Sequence, residues 1–461
     1  MVRTGVHREA DIIEKARRAN EGKPFKIFHY AGEVTVLPSE YADLVAFDKR
    51  LSLGAYLKKD FHTHLSGLNP IAALHDEQML LHKIVRRFSK NLARDDFRRL
   101  LVSQAVQNTN RLLGHTQGWS EICIYDFVLD SVARLDVRAL WGETLSNNEE
   151  WIALAKTYMP SAVAAAIQLS IAPKPMYYLV RLLAPDFRRV LRLARQAEDI
   201  IVPIVEERRK SKAQAIADGL LPSLFDDAFE WAEKESMGSE YDIAGTQLAL
   251  LISAVHTSAD LITQALILLA QRQDAVCQLR EEIERVLVAE GLARGAFQKM
   301  NLLDSTIKET LRIKPAGNFS VQRNSSSDVQ ITPELKILKG QSMVVDTSRR
   351  LDATVFQDPD IFQPDRFLRL RQDPRWGAKA LLVSTSSEHL AFGHGNQVCP
   401  GRFFVDLKVK ILLCHLLLSF DWKLAPGTNT EPSAMGPLLI ANQKTRILSK
   451  RREDAFEMMK L

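Results

Sequence analysis

The residues best suited to chemistry lie in one short stretch, Phe392-Gly-His-Gly-Asn-Gln-Val-Cys399-Pro-Gly401-Arg402. It offers a glycine-rich turn, a cysteine directly before a helix, and a following glycine that permits close approach. Backbone amides in such a turn, with the N-terminal end of the helix behind them, favour a thiolate at Cys399. A thiolate held this way suits a soft metal or a heme iron. A lone cysteine near a helix start is more often a small buried hydrophobe. The combination of Phe392, Gly395, Cys399 and Gly401 shifts that balance, because a chance match in a chain of this length is on the order of one in a thousand. Cys123, Cys277 and Cys414 have no such surroundings and read as small buried hydrophobes.

Three further groupings have the right residue types. Lys308-Glu309-Thr-Leu-Arg312 puts a carboxylate and a guanidinium three apart on one helical face. The same spacing recurs at Glu14 and Arg17, Glu206 and Arg209, and Glu282 and Arg285, and an exposed pair of this kind is worth only about 0.3 kcal/mol. Glu309 and Arg312 differ in context, since Pro315, a β-like pattern and Phe362-Gln-Pro364-Asp-Arg366-Phe367 follow them before the cysteine loop. In Ser253-Ala-Val-His256-Thr257-Ser258, small residues leave room and a hydroxyl can hold a proton. Such hydroxyls equally bond back to the carbonyl four residues earlier, and His256 with Asp260 suits an ordinary i,i+4 pair. His82-Lys-Ile-Val-Arg86 lies among Lys83, Arg87 and Lys90, which also fits a solvated basic face.

These residues need positioning elements. Ile12, Ile13 and Ala16 between charged positions indicate a short amphipathic helix over 6–20. Alternation over 25–30 and 33–37 around Ala31-Gly32 predicts a β-hairpin. From about residue 70 to 315 the periodicity is helical, with Pro and Gly mostly between segments. Asp242 can cap a helix running to about residue 273, on the order of 30 residues or 45 Å long. Beyond Pro315 come short β-like pieces at 320–323, 329–332, 337–338 and 343–345, an Asp/Pro-rich segment over 351–391, a helix over 401–418 and a β-like end over 438–448.

Composition narrows the class. The 461 residues are 46% apolar and 25% charged, with a net charge of +5, as expected of a folded protein and far from a dedicated nucleic-acid binder. Four scattered cysteines without a CxxC pair argue against a disulfide scaffold or a structural zinc site and favour a reducing, intracellular compartment. The N-terminus is charged throughout. The apolar stretch 248–270 is broken by His256 and Asp260, and 411–418 is short, so no transmembrane anchor is expected in the chain as written.

The loop around Cys399 resembles the signature of the cytochrome P-450 family of heme-thiolate enzymes, and the resemblance spans nearly the whole chain. It implies a mainly α fold with a minor β portion in one domain over 1–461, comprising the hairpin (25–38), the long helix (242–273), the ExxR helix (301–315) and the heme-binding loop (392–402). Heme would lie between the long helix and the cysteine loop, with Cys399 as axial ligand to its iron. Glu309, Arg312 and Arg366 would form a buried charged triad. Thr257, with His256, would organise protons, although His256 departs from the usual acid. Arg323 and Arg86 would pair with heme propionates. Gln397 stands where the family usually has Arg or His, and can donate a hydrogen bond but no charge.

The implied activity is monooxygenation of a hydrophobic small molecule by a monomer, using dioxygen and electrons from a separate NADPH-dependent reductase, since no GxGxxG follows a strand. His256 resembles fungal members that process terpenoid metabolites. Family resemblance implies the cytosolic face of the endoplasmic reticulum. Pocket candidates are Ala254 and Val255, residues 316–321 and residues 435–439. Arg366, Arg369, Arg371, Arg402, Lys408 and Lys410 would make a basic docking face for an acidic partner, or a merely solvated surface. Two alternatives are a heme-thiolate enzyme that uses peroxide or isomerises its substrate, and a catalytically idle heme-binding protein.

Overall fold

A computed structural model describes residues 15–29, 32–114, 118–293, 295–435, 438–456 and 458. Of the N-terminal amphipathic helix, Ile12 and Ile13 lie outside the described residues, and 15–19 are helical. The hairpin pairs β1 (Phe25–His29) with β2 (Gly32–Leu37), Phe25 opposite Val36. β3 (Leu51–Ser52), β4 (Phe319–Ser325) and β5 (Ser342–Asp346) complete a five-stranded sheet in the order β1-β2-β5-β4-β3, in which β2 and β5 run parallel. The β-like pieces at 329–332 and 337–338 form a separate hairpin, Val329–Thr332 with Leu335–Ile337.

One irregularity in this sheet matters for the site. Between Ser320 and Arg323 the register of β4 against β5 slips by a residue, and Val321 at the slip takes φ +47°. That conformation costs a β-branched residue about 1–2 kcal/mol. Strand residues three apart normally face opposite ways. Here the slip turns both toward the cysteine loop: the Ser320 hydroxyl donates to the Leu390 carbonyl at 2.8 Å, and an Arg323 Nη lies 3.5 Å from the His394 carbonyl.

The remainder is largely helical. Ile124–Ser146, Glu149–Ile171, Pro185–Ala217 and Ile243–Leu269 pack together as the main core. Breakers are not confined to the connections: Pro160 and Pro203 sit inside helices, and Gly142 kinks Ile124–Ser146 with φ +59°. Tertiary burial of apolar faces offsets the hydrogen bond each proline cannot make. Asp242 does cap the long helix, accepting from the Gly245 amide at 2.7 Å. The helix ends at Leu269 rather than 273, because Arg272 leaves helical geometry to start Gln273–Glu290. By length and composition Glu149–Ile171 and Ile243–Leu269 could each cross a membrane, but both are core helices, with 78% of the apolar window of the second buried.

Candidate active site around Cys399

The cysteine loop is pinned from several sides. The Cys399 amide donates to the Phe392 carbonyl at 2.8 Å, and Phe392 packs against the main core. Gly395, at φ +72°, presses on the helix Ala42–Val45: a Cβ there would stand 2.3 Å from the Ala46 carbonyl oxygen, which the neighbouring Asn396 amide already uses. His394 lies between Asp43, at 2.7 Å, and Thr385, at 3.0 Å. A Cβ on Gly401 would lie 4.0 Å from the Cys399 sulfur. The helix Arg402–Ser419 starts there, and Arg402 donates to the Cys399 carbonyl at 2.9 Å. Burial pushes the Cys399 thiol up from its ordinary value. The Gly401 and Arg402 amides and the charges of Arg402 and Lys408 work against that and favour the thiolate a metal ligand must be.

Glu309, Arg312 and Arg366 meet in the interior. Both Glu309 oxygens take Arg312, at 2.7 and 2.8 Å, and one also takes Arg366 at 2.9 Å, all three side chains being buried. The remaining guanidinium nitrogens hold the carbonyls of Arg350 and Pro359, both at 2.6 Å, and of Gln357, Asp358 and Ile361. The triad thus fixes the irregular segment ahead of the cysteine loop. Lys308 continues this from the same helix, donating to the carbonyls of Lys379, Leu381 and Ser384 at 2.7 to 2.9 Å.

Along the long helix Ser253 and Thr257, one turn apart, are exposed, whereas Ile252, Val255 and Ser258 are buried. Val255 is therefore core rather than pocket. The cysteine helix meets the long helix beside this exposed face: Lys408 reaches the Ala254 carbonyl at 2.9 Å and Asp136 at 2.8 Å. His256 turns to the Ala155 backbone, and burial lowers it to about 4. Asp260 does not pair with it. Its carboxylate accepts from the Ala441 amide at 2.6 Å, and burial raises it to about 7.

Arg323 tests whether the site fits a heme, which carries two propionate carboxylates. The guanidinium is buried, makes no ion pair among the described residues, and leaves Nε without a partner. Burial alone lowers it to about 10. A buried unpaired cation is costly unless an anion joins it, so the residues fit. His82 likewise keeps a buried, unpartnered Nδ1, while Arg86, one turn on, is exposed. Gln397 donates to the Leu51 carbonyl at 2.8 Å and accepts from the Leu53 amide at 2.6 Å.

Other expectations need correction. The basic docking face does not form, because the cysteine helix is buried almost all round and its charges turn inward. Arg366 binds Glu309, Lys408 binds Asp136, and Lys410 lies 2.7 Å from Asp304 and 2.6 Å from Asp406. Arg371 also binds Asp304, leaving Arg369 exposed and Arg402 partly so, stacked on Phe403. Of the three other cysteines only Cys414 is buried. Cys277 is exposed on the outer face of Gln273–Glu290, and Cys123 is intermediate, its sulfur on the Gln443 carbonyl. Residues 316–320 and Leu438 do meet, the Leu439 amide on the Ala316 carbonyl at 3.0 Å, beside a cavity of about 150 Å³. Gly436 and Pro437 lie outside the described residues.

The Asp136–Lys408 and Lys308 contacts escaped the sequence reading, since their partners lie far away in the chain and carry no motif. Comparison with known proteins agrees with the local geometry. The family model described as cytochrome P-450 matches residues 142–450. The chain is 33% identical over 96% of its length to the cytochrome P-450 monooxygenase hepE of Aspergillus oryzae, covering 82% of that protein. It is 32% identical over 99% of its length to the monooxygenase eqxH of Fusarium heterosporum, covering 88% of it, and 31% identical over 94% to the dihydro-ML-236C monooxygenase mlcC of Penicillium citrinum, covering 83%. Among solved structures, the retinoic acid bound cyanobacterial CYP120A1 aligns with a TM-score of 0.68 at 19% identity, over 95% of this chain and 94% of that one.

Proposed function

Because the chain belongs to the cytochrome P-450 family of heme-dependent monooxygenases, we propose that it oxidises a hydrophobic small molecule of terpenoid type, with dioxygen and with electrons from a separate NADPH-dependent reductase. The observation that carries this reading is the pairing of a pinned Cys399 loop with a buried Arg323 that has no anionic partner among the described residues. Heme, when bound, supplies the activation of dioxygen and the redox capacity that the polypeptide lacks.

The chain's own residues have separable tasks. Cys399 would hold the iron, and the Gly401 and Arg402 amides work against the burial that raises its thiol. Arg323, with His82 and Arg86, takes the carboxylates. Thr257 holds a proton on its hydroxyl at the exposed face of the long helix. His256, lowered to about 4 and turned to Ala155, is neutral near pH 7 and backs that face rather than donating from it. Ala316, Phe319 and Leu438 supply apolar contacts on which a hydrophobic substrate would rest. Two relatives are named for the molecules they act on, dihydro-ML-236C and dihydromonacolin L, which supports a small organic substrate.

The test is consumption of NADPH and dioxygen by the protein with a fungal reductase across a panel of terpenoid and other apolar metabolites. Turnover that rises with one substrate class, and becomes uncoupled in Thr257→Ala, supports the reading. No substrate-dependent consumption across the panel would sink it.

A further inference from the structure

Gln397 draws into the site a histidine that no motif marks. His75 ends the short helical turn Asn69–His75, and its Nε2 lies 3.0 Å from the Gln397 side-chain oxygen. That oxygen also receives the Leu53 amide and can only accept, so His75 must present its hydrogen there from Nε2. Its other ring nitrogen, Nδ1, is buried without a partner, as is Nδ1 of His82, whose ring centroid is 5.0 Å away. The charge of Arg323 acts on the same imidazole. Three groups with buried, unmet polar atoms thus lie near one another: His75 on Gln397, His82 against His75, and Arg323 close enough for its charge to act on His75. In neutral His75 the inward Nδ1 is an unmet acceptor. With a proton it becomes a donor and a positive charge, a state that a carboxylate acceptor stabilises most.

We propose that His75, oriented by Gln397, is a further ligand of the carboxylate that Arg323 lacks, and supplies the charge that glutamine at 397 cannot. This rests on the heme reading above, the carboxylate being a heme propionate. Gln397 then acts as a positioning residue: it fixes the ring by its acceptor and anchors itself on Leu51 and Leu53, rather than serving the anion directly. Burial and the charge of Arg323 lower His75, against the Gln397 bond and the charge of Asp76, and a carboxylate beside both cations would offset the first two.

Heme transfer from the purified holoprotein to apomyoglobin tests this without reference to turnover. His75→Phe keeps a ring of similar size and removes the nitrogens, and it should release heme roughly tenfold faster, the weight of a hydrogen bond to a charged group. His75→Lys restores a cation and should release heme at close to the wild-type rate. A wild-type rate in His75→Phe, or equally fast loss in both variants, would overturn the proposal, the latter by assigning His75 to packing alone. A wild-type protein that shows no thiolate-bound heme rejects the heme reading itself, an outcome distinct from either.

Discussion

Asp136 and Lys408 illustrate what sequence can and cannot reveal about single residues. Both are fully buried and face each other across 2.8 Å. Burial pushes the carboxyl up to about 6 and the ammonium down, so each depends on the other. Removing one partner of such a pair costs about 3–5 kcal/mol, whereas replacing both by apolar residues is often near neutral. Asp136→Leu should therefore lower the unfolding free energy by several times more than the double change Asp136→Leu with Lys408→Met, as measured by urea unfolding. A double-variant loss equal to the sum of the losses in Asp136→Leu alone and Lys408→Met alone would mean that the pair carries no coupling. From sequence, Lys408 looked like a surface charge because its acid lies on a remote helix. Glu309, Arg312 and Arg366 were legible because two of them fall on one helical face and the third lies in a distinctive aromatic-Pro-x-Arg segment.

Among elements, the long helix, the hairpin and the cysteine helix were legible from periodicity and capping, because each buries a contiguous apolar surface. The slip in β4 was not: alternation places strand residues but carries no sign of an extra one, and Val is a poor indicator of φ +47°. The long helix is also tied to the C-terminal region by a bond that periodicity does not reveal, from the Ala441 amide to Asp260. Burial raises this carboxyl from 3.8 to about 7, so between those values the folded protein holds a proton that the unfolded chain has released. Its contribution to stability is complete below the unfolded value and is lost as pH rises through about 7. Asp260→Asn, which still accepts from Ala441, should therefore gain stability relative to wild type as pH rises from 5 to 8. A difference in melting temperature that stays constant over that range would contradict the assignment.

For the whole molecule, length and composition alone fit many folded proteins, and the class became readable only through the order and spacing of Glu309, Arg312, Arg366 and Cys399. Those four residues lie within the segment that the family model matches, and the structural likeness to CYP120A1 extends over nearly the full chain. What the sequence left open was how the site manages charge. Arg366, Lys408 and Lys410, read as part of a basic surface, are core ion pairs, and in the proposed arrangement the anion falls to Arg323 and His75 rather than to position 397. The central claim is that Cys399 binds heme iron as a thiolate. The direct measurement is the carbon monoxide difference spectrum of the reduced protein. We expect a band at the usual thiolate position in wild type and in Cys123→Ala, Cys277→Ala and Cys414→Ala, and none at that position in Cys399→Ala. Absence of the band from wild type, or its persistence in Cys399→Ala, would contradict the account.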